Sequence, residues 1–167
     1  MKQGTFESQS ILLKVALLPL YSSNPIDAIK QQLNELLLKY NDDIRGVPLT
    51  FTDVAFPDNK EYGRILNEEP WIHIDVCTTM LVFKPSVGLV LRGRINQLLD
   101  SHISLLVFGL FNASILGDDM CKQYAFNESA SSWESPQGDL LEGDVVDCKI
   151  VSFQHANGVL NLRCALL

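Results

Sequence analysis

The chain has 167 residues, 47% of them hydrophobic and 20% charged, and a formal net charge of −7. That length holds one domain or two small ones, and the apolar content is enough for a packed core, which excludes wholesale disorder. The charge is spread evenly, with 8 basic and 11 acidic residues up to Lys84 and 5 and 9 beyond it, so neither half is the basic magnet that tight phosphate binding requires.

The N-terminus lacks a secretory signal, and ILLKVALLPLY is too short and interrupted to span a bilayer, so the chain reads as intracellular and soluble with no membrane partner. Residues 10–20, SILLKVALLPL, are leucine-rich on both parities and predict a strand largely covered on both faces, ending at Pro19. A helix start follows: Asn24 as cap, Pro25 at the first position, and Asp27 where the helix dipole favours an anion. Ile26, Ile29, Leu33, Leu36, Leu37, Tyr40 and Ile44 then step by threes and fours, predicting one long amphipathic helix that ends at Gly46 and packs on a sheet. Val47 to Phe56 predicts a strand, Pro57 to Lys60 a turn, and Tyr62 to Leu66 with Trp71 to Phe83 further strands.

In MLVFKPSVGLVLRG, Met80 to Gly93, an apolar strand runs into Lys84-Pro85 and restarts after Gly88. Proline has no ladder donor, so a central strand cannot continue through it, and the expected boundary divides residues 1–84 from 85–167. So short a link should hold the two in a fixed mutual orientation. Beyond Pro85 no second amphipathic helix appears. Strands are expected at Leu89–Leu98, Ile103–Leu110, Phe111–Leu116, Val145–Phe153 and Val159–Leu166, with Asn157-Gly158 as a tight hairpin turn and Gly117 to Gly138 as a long polar loop. Five strands around such a loop predict an OB-type barrel. The fold class is thus an α+β domain, an antiparallel sheet with one long helix, followed by an all-β five-stranded barrel.

Cys77, Cys121, Cys148 and Cys164 lie far apart without a CxxC pair and read as buried free thiols. The chain contains no GxxxxGK[ST], GxGxxG, HExxH or GxSxG. His73 alternates with Trp71 and Asp75, a base with a carboxylate neighbour on paper and a partner-facing strand residue in the plainer reading. Asp42-Asp43 and Asp118-Asp119 read as solvated charge rather than metal ligands. No catalysis, metal or cofactor is expected.

The apolar N-terminal strand and helix, GRIL at Gly63 to Leu66 and VFKPSVGLVLRG at Val82 to Gly93, in this order, resemble the larger stalk subunit of multisubunit RNA polymerases, a group made up of an archaeal protein and its eukaryotic counterparts. PLYSSNP, LNELLLKY and SHISLLVFGLFNASI, Ser101 to Ile115, are most similar to the RNA polymerase I version. The resemblance covers nearly the whole chain. It departs at Ser104, where glycine is usual, at Phe108, where histidine is frequent, and at Leu167, where many members continue into a charged tail.

The resemblance implies a tip domain that plugs into the polymerase core and holds a smaller stalk subunit, then an S1-like OB barrel facing solvent and emerging RNA. It places core docking around Gly46, Gly63, Arg64 and Ile65. Lys84, Arg92, Arg94 and His102 are the candidates to contact nascent RNA, with Phe108 and Phe111 as stacking surfaces or core. The expected role is a non-catalytic subunit of RNA polymerase I in ribosomal RNA synthesis, in the nucleus and nucleolus, with core subunits, the smaller stalk subunit and the initiation factor as partners. Self-association of the isolated chain through exposed strand edges stays open, and so do the RNA polymerase III counterpart, a freestanding S1-type RNA-binding module and, least favoured, an enzyme using His73.

Overall fold

A computed structural model describes residues 6–57, 62–67, 69–120, 124–129, 132–136 and 138–167. The chain forms two compact units, residues 1–84 and 85–167.

In the first unit β1 (Phe6–Leu17) leads through a 3-10 turn (Pro19–Ser23) into α1 (Pro25–Leu36), followed by β2 (Val47–Ala55), β3 (Arg64–Ile65) and β4 (Ile72–Phe83). β4 is the centre of the sheet. It pairs antiparallel with β1 along its whole length, Phe6 opposite Phe83 and Leu17 opposite Ile72, while β2 and β3 share its other edge. Val15, Leu17, Ile74, Val76, Met80 and Val82 point to one face, where Ala28, Ile29 and Leu33 of α1 close the core.

Two expectations need correction here. β1 is covered on one face only: its burial alternates, and Leu12 on the outer face stays exposed, because a single helix shields a single side of the sheet. The helix also ends at Leu36, well short of the Gly46 that its apolar stripe implied. After Leu36 the backbone turns extended at Leu37 and left-handed at Leu38 (φ +62°). Its donors find other partners: Leu38 N–H bonds to the Pro48 carbonyl of β2 at 2.8 Å, and the Asn41 side chain accepts the N–H groups of Asp43 and Ile44. Ile44 still reaches the core, but from a turn. Asn24 occupies the cap position without accepting a helix N–H; its amide donates to Asp27 instead.

The second unit is a closed barrel of β5 (Val90–Leu98), β6 (His102–Val107), β7 (Phe111–Leu116), β10 (Val145–Ala156) and β11 (Val159–Leu166), in the order β10-β11-β7-β6-β5. β7 and β11 run parallel and the other pairs antiparallel, the connectivity of an OB fold. Leu91, Ile95, Leu105, Ile115, Ile150 and Leu162 fill the interior. The β10–β11 turn is built by Asn157 and Gly158 at φ +51° and +79°, the backbone that a two-residue hairpin of this twist demands.

The polar segment expected as a loop carries structure of its own. A 3-10 turn (Gly117–Asp119) and a small hairpin, β8 (Ala125–Asn127) with β9 (Ser132–Glu134), bring Trp133 into a buried position, its ring 5.4 Å from that of Phe126. Cys148 and Cys164 are buried free thiols and Cys77 is partly covered, while Cys121 and residues 58–60 of the expected turn lie outside the described residues.

Candidate docking and nucleic-acid surfaces

The docking candidates of the first unit divide into two kinds. Gly46 and Gly63 are demanded by packing within the unit: a Cβ on Gly46 would stand 2.6 Å from the Phe83 carbonyl oxygen, and one on Gly63 2.2 Å from Ile72 Cγ2. Arg64 and Ile65 are different, since both are exposed on the two-residue strand that clips onto His73 and Ile72. Ile65 is 63% exposed and Tyr62 60%, and Leu66 and Trp71 are exposed beside them, so the unit presents an apolar cluster with one guanidinium in it.

Alongside lies a cleft of about 550 Å³ on the outer sheet face, lined by Leu12, Lys14, Tyr62, Arg64, His73 and Asp75 among others. Lys14 sits in register with Asp75 across β1 and β4. The histidine paired in sequence with Asp75 meets a different carboxylate: His73 Nε2 is 3.7 Å from Glu69, shielded from solvent and without a hydrogen-bond partner among the described residues.

The RNA candidates fall in both units, and those of the barrel lie on β5 and at the two ends of β6. Lys84 belongs to the first unit, where its ammonium pairs with Glu7 at 2.8 Å. Arg92 and Arg94 both face outward from β5, but Arg92 is held by Asp147, its register partner on β10, at 2.9 Å. The hydrogen bond from the guanidinium lowers the Asp147 pKa and raises that of Arg92. Arg94 has no ionic partner among the described residues. His102 begins β6, its Nδ1 3.0 Å from the Ser101 hydroxyl, whereas Phe108 lies just past the other end of that strand, roughly 20 Å away at ~3.3 Å per residue. The two phenylalanines part company: Phe111 is buried in the barrel and Phe108 is 46% exposed at the β6–β7 turn.

Two residues that sequence reasoning passed over, Asp147 and Trp133, and one that it read as solvated, Asp119, shape this surface. Asp147 neutralises Arg92, Asp119 binds Arg163 at 2.6 Å, and Trp133 anchors the polar segment. Asp119 is therefore not the solvated charge expected of Asp118-Asp119, because β11 presents a guanidinium to the 3-10 turn. The alternation of Asp147 with Cys148 and Lys149 was a readable signal that it faces outward, but its partner on β5 was not readable.

Comparison with known proteins adds the family. Residues 13–70 match the "SHS2 domain found in N terminus of Rpb7p/Rpc25p/MJ0397", and residues 85–139 match the "RPA43 OB domain in RNA Pol I". The chain is 30% identical over 139 residues to the DNA-directed RNA polymerase I subunit rpa43 of Schizosaccharomyces pombe, covering 80% of this chain and 79% of that protein. The chain belongs to the RPA43 family.

The RPA43 proteins of Mus musculus and Homo sapiens are 34% and 32% identical over 134 residues, 78% of this chain in each case. The chain spans only 38% and 37% of their lengths, so these RPA43 relatives are much longer.

Proposed function

We propose that the chain is a non-catalytic stalk subunit of RNA polymerase I, working in ribosomal RNA synthesis as a positioned platform for other proteins. One observation carries this reading: a unit of the Rpb7 N-terminal type and a unit of the RPA43 OB type occur in that order in one chain that covers most of a polymerase I subunit. The exposed cluster of Tyr62, Ile65, Leu66 and Trp71 around Arg64 supports the first unit as the element that docks on the core. Such a patch of aromatic, aliphatic and guanidinium groups has the composition of an interface centre.

Under this reading the chain resides in the nucleus, concentrated in the nucleolus, with core subunits, a smaller stalk subunit and the initiation factor as partners. Contact with nascent RNA is a minor part, since pairing with Glu7 and Asp147 leaves Arg94 alone among the three cations first assigned to it. Affinity purification of the tagged chain from cells tests the proposal. RNA polymerase I large subunits should co-purify, and an Arg64→Glu/Ile65→Asp variant should lose them. Recovery of RNA polymerase III subunits, or of no polymerase, would overturn it.

A further inference from the structure

Across β10, β5 and β6 the barrel exterior brings Val145, Arg94 and Leu106 into one row, because Arg94 is in register with both neighbours. The adjoining row holds the Arg92–Asp147 pair. Phe108 and Leu110 stand exposed at the end of the same strip, in the turn that follows Val107, whose register partner Gly93 separates the two arginines. Phe108 holds its place with φ +53°, a backbone region that bulky side chains avoid. Asparagine or glycine would suit both that backbone and the solvent better. An exposed aromatic kept in so sparsely populated a turn conformation is a place to look for function.

We propose that Arg94, Leu106, Phe108, Leu110 and Val145 form a docking surface for a protein segment that presents a carboxylate beside apolar side chains. Charge selects the occupant. Arg92 is already answered by Asp147, while Arg94, flanked in its own row by Val145 and Leu106, is left without an ionic partner among the described residues. A nucleic acid would find here one cation for one phosphate, and aliphatic groups at Leu106, Leu110 and Val145 that read no base edge. A carboxylate flanked by apolar side chains is matched at each position, with an aromatic anchor at the rim of a guanidinium. This inference rests on the reading of the chain as a subunit held within a larger assembly.

The test is to install the photo-crosslinker p-benzoylphenylalanine at Leu110, and separately at Phe108, in the full chain in cells, with Glu128 as an exposed control position. Crosslinked material is then identified by mass spectrometry. The expected result is a protein peptide with Asp or Glu next to apolar residues, its yield falling roughly tenfold in Arg94→Glu and less in Arg94→Lys. An RNA adduct, a peptide without an acidic residue, a yield unmoved by Arg94→Glu, or no crosslink above the Glu128 control would overturn the proposal. Polymerase large subunits are measured in the same preparation. Their retention without the expected crosslink removes the surface and leaves the stalk reading intact, whereas their absence removes the stalk reading itself.

Discussion

The indole N–H of Trp133 donates to the carbonyl of Leu99 at 3.0 Å, tying the hairpin of β8 and β9 to the turn between β5 and β6. Leu140 N–H in turn bonds to the Trp133 carbonyl at 2.8 Å, so one residue fastens the polar segment on both sides. Trp133→Phe keeps a ring and loses the hydrogen bond, which should lower stability by about 1 kcal/mol. Trp133→Ala also opens a cavity and should cost about 3–5 kcal/mol. Urea unfolding followed by circular dichroism checks both, and equal losses for the two variants would show that the hydrogen bond, not the ring, holds the segment.

Gly46→Ala and Ile65→Asp should separate packing from docking within the first unit. The alanine Cβ would stand 2.6 Å from the Phe83 oxygen, so β4 or the turn must shift, at a cost of roughly 1–3 kcal/mol. Ile65 is exposed on a two-residue strand, so its replacement should stay within about 0.5 kcal/mol of the parent. Co-purification of polymerase large subunits should respond the other way, falling with Ile65→Asp at unchanged melting temperature. A melting temperature that drops with Ile65→Asp would return that residue to the fold.

Asp147 should act as a brake on RNA binding. Its pKa is lowered by the Arg92 hydrogen bond, so the carboxylate is charged, and the pair intact, at any pH above the ordinary carboxylate range of about 4. A group with a depressed pKa in the folded state contributes above its unfolded value and loses that contribution as pH falls through the folded one, so measurements at neutral pH see the brake fully applied. Asp147→Asn releases Arg92. Affinity for an oligo-uridine strand should rise, and the slope of log affinity against log salt should steepen by roughly 0.7, the value for one added single-strand phosphate contact. An unchanged slope in a fluorescence-anisotropy titration would mean that Arg92 faces no phosphate path.

The sequence carried local rules well and pairings poorly. Pro25, the apolar steps through Ile29 and Leu33, the Asn157-Gly158 turn and the break at Pro85 each act within a few residues, and all are visible in the fold. The helix end was illegible because Leu38 and Asn41 are settled by Pro48 and by a side chain competing for backbone donors, which periodicity does not register. The surroundings of the candidate site residues were illegible for a related reason. Arg92 and Arg94 look alike at a spacing of two, and only the β10 register gives one of them Asp147 and the other Val145. Phe108 and Phe111 were equally ambiguous until the turn between them placed one outside and one inside.

Phe108 connects strain with use, and substitution there should show both. At φ +53° a phenylalanine bears a steric penalty that asparagine tolerates, so Phe108→Asn should raise barrel stability by roughly 1 kcal/mol. Gly109 follows at φ +70°, and the Leu110 N–H to Val107 carbonyl bond of 3.0 Å closes the turn regardless of the side chain at position 108, so the hairpin should keep its register. If the aromatic ring serves docking, the stabilised variant should lose the partner captured from Leu110, giving a tighter fold with a weaker contact. Urea midpoints and crosslink yields measured on the same protein decide the matter. A variant that loses stability would show that the ring packs for the barrel's own sake, and one that gains stability while keeping the crosslink would place the anchor at Leu110 and Leu106 instead.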